Sequence, residues 1–368
     1  MSGRSVKRLF ESLPSEPEAE ERAWTVVHGA YAAREPAPRR RHARAVLAVA
    51  ALAAVVGAAT LSPPGRAVVD AVRKTIGIEH AQPALFRLPS PGRVLVSGGG
   101  GAWVVAADGS KRRLGDFREA SWSPHALYVL AASRDQLAAL EPNGKVHWTL
   151  ARSDIRFPRW GGSRADTRVA YLTKTELHVV AGDGTGDKPL TAAARVAPAW
   201  QPTNGHVLAY VSVHGRVLVI DTDRHTTIRL PGTYTQPRSL TWSPDGATLV
   251  LATRRALVRF DVRTMTAHAL DLRGVRAVSF SRAGRLAVVR GRSVLVLDGS
   301  RARTLFSAPA ALAGLAWSPD GRWLLSGLPA ADQWIFLQAR GGRRVLAISH
   351  VKTQFGGAPQ LDGWAPGA

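Results

Sequence analysis

The segments Leu240-Thr-Trp-Ser-Pro-Asp-Gly246 and Leu315-Ala-Trp-Ser-Pro-Asp-Gly321 each end an apolar run on a tryptophan and follow it with a tight turn. Pro in the second place and Gly in the fourth of Ser243-Pro-Asp-Gly246 match a type I turn, so each segment reads as the end of one strand and the hairpin into the next. Weaker copies stand at Trp122, Trp160, Trp200 and Phe280, and the interval between successive aromatics is about 40 residues. Between aromatics come further short bursts of apolar residues, clearest at 207–212, 216–221 and 226–230 after a turn at Pro202-Thr-Asn-Gly205. Four short strands per repeat at this period specify an all-β chain of radially stacked sheets.

The ends of the repeat region suggest how the ring closes. Residues 93–97, 103–107 and 112–114 read as three strands of a blade that lacks its inner strand, whereas Pro359-Gln-Leu-Asp-Gly-Trp364 reads as an inner strand without a blade. Joining the two gives about seven blades; residues 85–88 are the rival for the inner strand. The aromatics Trp122, Trp160, Trp200, Trp242, Phe280, Trp317 and Trp364 are then blade anchors with a structural role.

Four regions follow. Residues 1–44 hold one short helix, whose start is marked by Ser15 and Glu18 at capping-box spacing and by Pro17 in the first turn. Trp24, Val27 and Tyr31 lie on one stripe of that helix, which is too short to bury them unaided and so offers a docking surface for a cytoplasmic regulatory partner. Residues 45–61 are apolar except for Thr60 and follow Arg39, Arg40, Arg41, His42 and Arg44. At 1.5 Å per residue this run is about 26 Å long, a little short of a hydrocarbon core of about 30 Å, and Arg44 can snorkel.

A cleaved signal peptide needs a shorter leader than the forty-odd residues in front of this run, and a buried soluble helix needs a partner layer that the flanks do not offer. The expectation is an uncleaved transmembrane helix in the cell membrane, N-terminus cytoplasmic and propeller outside by the positive-inside rule. Residues 62–92 form a juxtamembrane helix and linker, and 93–368 the propeller.

The Trp-Ser-Pro-Asp-Gly turns, with echoes at Trp122-Ser-Pro, Trp200-Gln-Pro and Phe280-Ser, resemble the TolB-like and WD-repeat-like propellers of bacteria over roughly residues 85–366. The resemblance implies that the motif aromatic packs between blades, that Pro-Asp-Gly forms a hairpin connection, and that the ring serves as a protein-binding platform. The chain departs from TolB in showing an anchor and no additional globular domain before the ring. The order helix, span, propeller resembles the membrane proteins that accompany sigma factors in actinobacteria.

Composition narrows the chemistry. The formal net charge is +22 and cysteine is absent, which removes disulfides, thiolate catalysis and Cys-ligated zinc. Arginine is distributed along the chain instead of in blocks, so the expectation is a diffuse positive field with no specific nucleic-acid groove. Ser97-Gly-Gly-Gly-Gly-Ala102 lacks the Lys-Ser/Thr and the following helix of a phosphate loop and reads as a hairpin. Gly182-Asp-Gly-Thr-Gly-Asp187 lacks the further acids a calcium site needs and reads as a turn. The histidines are dispersed, with no two at ligand spacing on one face and no nearby carboxylate to orient them. Trp103, Trp148, Trp323 and Trp334 are core candidates with an aromatic ligand face as the alternative.

No cofactor, metal or catalytic residue is expected. The leading expectation is a membrane-anchored propeller outside the cytoplasm that binds a protein, peptide or envelope ligand at a face, acting in regulation. The alternatives are a hydrolase or lyase working from the central channel, which needs acids converging across the ring, and a purely structural envelope scaffold.

Overall fold

The computed structural model describes residues 87–367, apart from 164, 175, 300 and 343. The expected helix with Trp24, Val27 and Tyr31, the apolar run at 45–61 and the juxtamembrane helix fall outside the described residues. Among the described residues no helix is long and apolar enough to cross a membrane.

Seven antiparallel four-stranded sheets follow one another along the chain. Their inner strands are Gln360–Ala365 (blade 1), Glu119–Trp122 (blade 2), Arg156–Gly162 (blade 3), Ala199–Gln201 (blade 4), Pro237–Trp242 (blade 5), Val275–Phe280 (blade 6) and Ala313–Trp317 (blade 7). Each inner strand touches the next, and that of blade 7 touches that of blade 1, so the ring is closed.

Blades 2 to 7 are consecutive meanders, whereas blade 1 is assembled from both ends of the described chain. Its strand Arg93–Ser97 pairs with Ala102–Val105 on one side and with the C-terminal strand on the other, where Val94 lies opposite Trp364. Leu88, from the rival segment, instead donates its backbone N–H to the Ala107 carbonyl at 2.9 Å. Two details differ from the sequence reading. Gln201 pairs with Asn204, so the blade 4 turn is the two residues Pro202-Thr203. A five-residue helix, α1 (Val351–Phe355), also precedes the closing strand and buries Val351 and Phe355.

The core is divided by blade interfaces, because a four-stranded sheet cannot cover both faces alone. Seven apolar clusters fill the seven interfaces, and each contains one anchor aromatic. Trp242 packs with Val211 and Val219 of blade 4 and Leu249 and Leu251 of blade 5. Trp317 lies with Val289 and Val294 of blade 6 and Leu324 of blade 7. Trp364 sits among Leu325 and Phe336 of blade 7 and Val94 and Val96 of blade 1, closing the circle. Trp160, Trp200, Trp122 and Phe280 occupy the remaining interfaces, the last two half-buried.

A hydrogen bond accompanies three of these anchors. The indole N–H of Trp200 donates to the Arg159 carbonyl at 3.2 Å, that of Trp242 to Ala199 at 2.9 Å, and that of Trp317 to Ser279 at 3.1 Å. In every case the acceptor is the residue just before the anchor of the preceding blade, so one repeat period sets both the apolar contact and the polar tie.

The motif turns are held from within. The Gly246 N–H donates to the Ser243 carbonyl at 2.9 Å, the Ser243 hydroxyl receives the Thr248 N–H at 2.9 Å, and Asp245 accepts from Ala247 at 3.1 Å. Gly246 has φ +68°, a conformation that costs an L side chain about 1 kcal/mol or more. Asp320 in blade 7 makes the matching bond to the Arg322 N–H at 3.0 Å. Ser97 to Ala102 forms a hairpin, and a Cβ on Gly100 falls 1.7 Å from the Phe355 carbonyl oxygen, so glycine there lets α1 pack against the loop.

Candidate functional site

Antiparallel meanders put their loops on two faces. The turns from first to second and from third to fourth strand open on one face, and the remaining connections on the other. On the first face, a cleft of about 600 Å³ lies between blades 2 and 3. That size is within the range of ligand pockets.

Aromatic rings form its wall. Tyr128 stacks on Trp160 with centroids 5.8 Å apart, Trp148 tilts against Trp160 at 6.5 Å, and His147 meets Tyr128 edge-on at 4.7 Å. Trp148 is fixed by its N–H to the Gly182 carbonyl at 2.8 Å. Trp160 is 9% exposed, and its buried indole N–H has no acceptor, as is also true of the anchors Trp122 and Trp364. Leu127, 48% exposed, stands at the mouth. An apolar aromatic wall with an exposed leucine at its edge suits a ligand that offers an apolar group.

The central channel forms a second cavity of about 550 Å³, lined by the inner strands and the turns after them, including Arg159, Arg238, Arg282 and Asp362. Burial pushes the Asp362 carboxyl up to about 8; Glu119 adds to the shift, while the Ser97 hydroxyl and the Arg159 guanidinium oppose it without cancelling it. Glu119, on the neighbouring inner strand, accepts from the Arg156 guanidinium and the Phe157 backbone N–H. The channel wall therefore holds a protonatable acid, with a second acid, already engaged, on the neighbouring inner strand.

The sign of the Asp362 effect follows from linkage. An unfolded aspartate titrates near 3.9, so between about pH 4 and 8 the native state retains a proton that the unfolded state has lost. Stability is fully present below pH 4 and falls as pH rises toward 8. Asp362→Asn is expected to flatten that decline and to raise the urea midpoint at pH 8.5 more than at pH 5.5. An identical decline in the variant would refute the assignment.

The other candidates settle as follows. Asp183 of the Gly182–Asp187 stretch accepts from the Thr185 N–H at 2.9 Å and hydroxyl at 2.7 Å, the bonds of a simple turn. Asp187 points inward, receiving the Tyr171 hydroxyl at 2.8 Å. No group of three or more acids and histidines able to hold a metal occurs among the described residues. Carboxylates do reach histidines, contrary to the sequence reading: His206 lies between Asp223 and Asp166, and His178 beside Asp187 at 3.4 Å. Strand pairing brings Asp223 and Asp187 to their histidines, and the stacking of blades 3 and 4 brings Asp166 to His206.

Trp334 stacks on Phe355 at 5.0 Å and Trp103 meets it edge-on at 5.9 Å, both with Trp323 in the cluster between blades 7 and 1. Of the four tryptophans, Trp148 alone lines the aromatic cleft. Sequence reasoning missed Tyr128, His147 and Leu127. Arginine is also less evenly spread than its sequence distribution implies, since six line one concavity on the opposite face.

Residues 299–337 are similar to the family described as WD domain, G-beta repeat, a stretch running from the outer strand of blade 6 into the third strand of blade 7. The crystal structure of the Cps50 (Swd1) β-propeller domain of Myceliophteria thermophila is similar, with a TM-score of 0.53 at 12% identity, covering 65% of this chain and 88% of that one. The described ring is a WD-repeat-like seven-bladed propeller. Hydrazine synthase of Kuenenia stuttgartiensis gives a TM-score of 0.49 at 16% identity over 60% of this chain and 75% of that one. No curated protein matches. At these identities the likeness is one of fold alone.

Proposed function

We propose that the chain is a single-pass membrane protein whose propeller lies outside the cytoplasm and recognises a peptide segment of a protein partner at the cleft between blades 2 and 3. The cleft carries the reading: the packed Tyr128, Trp148 and Trp160 rings form an apolar wall rimmed by an exposed leucine. Rigid aromatic anchors of this kind dominate binding energy at protein interfaces. The anchor rests on the apolar run at 45–61 behind its arginine cluster. A regulatory version adds a cytoplasmic partner at Trp24, Val27 and Tyr31. The channel-enzyme alternative rests on Asp362, whose raised carboxyl suits proton transfer.

The test is selection of displayed peptides on the purified full-length chain in neutral detergent. Peptides so enriched are expected to lose about tenfold or more in affinity for Trp148→Ala and to bind Ile228→Ala, an exposed residue of blade 4, unchanged. Equal binding to both variants at matched melting temperature rejects the cleft. Protease added to intact cells is expected to digest the ring and spare residues 1–44; the reverse pattern rejects the topology.

A further inference from the structure

On the face formed by the connections between blades and by the turns from second to third strand, a cavity of about 700 Å³ opens between blades 5 and 6. Its lining includes Arg238, Arg254, Arg273, Arg276, Arg290 and Arg292, together with Gly274, Gly291 and Ser293. Among the described residues, five of these arginines pair with no carboxylate; Arg273 meets Asp271 at 3.2 Å, with both side chains largely exposed.

The concentration is a product of the repeat. Arg238 and Arg276 open the inner strands of successive blades, and Arg254 and Arg292 occupy the same hairpin of each, so each pair is separated by about one 40-residue period. Stacking the blades brings the two sets side by side. Like charges gathered round one concavity repel, and without carboxylates of their own they are stabilised by an incoming anion of high charge density.

We propose that this cavity binds a compact polyphosphoryl ligand, several linked phosphates in free solution. Every cation in it is an arginine, whose planar fork takes two phosphate oxygens at once. Linked phosphates supply several negative charges within the volume of the cavity, where an extended acidic peptide brings about one carboxylate per 3.3 Å of chain.

The probe is inorganic tripolyphosphate, titrated calorimetrically into the full-length chain in neutral detergent at physiological ionic strength. Saturable binding with one site per chain is expected, weakened about tenfold or more by R254Q/R292Q and by R238Q/R276Q. The control R301Q/R303Q removes the same charge from the exposed outer strand of blade 6 and is expected to change affinity less than about twofold. Equal losses in all three variants, or no saturable binding, overturns the proposal by reducing it to a diffuse field. Retention on phosphatidylglycerol vesicles without saturable tripolyphosphate binding overturns it in favour of a lipid surface. A poly-glutamate peptide binding more tightly than tripolyphosphate overturns the choice of phosphate.

Discussion

Deletion of residues 359–368 is expected to abolish cooperative unfolding of the whole ring. The lost segment supplies the inner strand of blade 1, whose partners Arg93–Ser97 would be left with an unpaired backbone edge facing the channel. It also removes Trp364 from the cluster shared by blades 7 and 1 and breaks the contact of that inner strand with blades 7 and 2. Removing a buried tryptophan alone costs about 3–5 kcal/mol, and a native domain is stable by about 5–15 kcal/mol in total, so the loss of strand, anchor and two interfaces is of the order of the whole. Near-UV circular dichroism during heating is the measurement. A single transition at the wild-type midpoint would show that blade 1 does not close the ring. A synthetic peptide spanning 356–368 is expected to restore the transition when added to the truncated chain, since the missing piece is one strand with its anchor.

The second large effect is expected at Trp242, where two replacements separate packing from the polar tie. Trp242 is 5% exposed between blades 4 and 5, and its N–H bonds to the Ala199 carbonyl across the interface. Trp242→Ala leaves a cavity bounded by Val211, Val219 and Leu249 and is expected to cost about 3–5 kcal/mol. Trp242→Phe retains most of the apolar volume, as Phe280 does naturally at the next interface, and deletes the donor. Its expected cost is about 1–2 kcal/mol. Urea unfolding reads both values. Equal losses would mean that the hydrogen bond, and not the apolar volume, holds the interface; a loss below about 1 kcal/mol for alanine would remove Trp242 from the anchors altogether.

The fold was largely legible because its signals are local and repeated. Trp-Ser-Pro-Asp-Gly states a strand end and a turn within five residues, and its recurrence near 40 residues states the array. The unpaired half-blades at 93–114 and 359–364 even pointed to the closing strand, which pairs as expected. Helix α1 escaped because five residues carry too little periodicity to register. The cleft was half legible: Trp148 and Trp160 were both noted, one as a core candidate with a ligand face as alternative and one as an anchor. Their meeting with Tyr128 and His147 depends on two blades lying side by side.

The amino-acid order by itself determined the all-β repeat, the positions of the anchors and the chemistry of the turns, since each depends on residues only a few places apart. Tertiary structure decided which side chains share a surface. Arg238, Arg254, Arg276 and Arg292 are scattered along the chain and converge only when the blades stack in register. Trp160 and Trp200 are equivalent in the repeat, yet the indole donor of Trp200 finds a carbonyl and that of Trp160 finds none. Hydrogen-bond distances of about 3 Å and the overlap of charged groups are set by how whole sheets pack, a long-range property that no local pattern encodes.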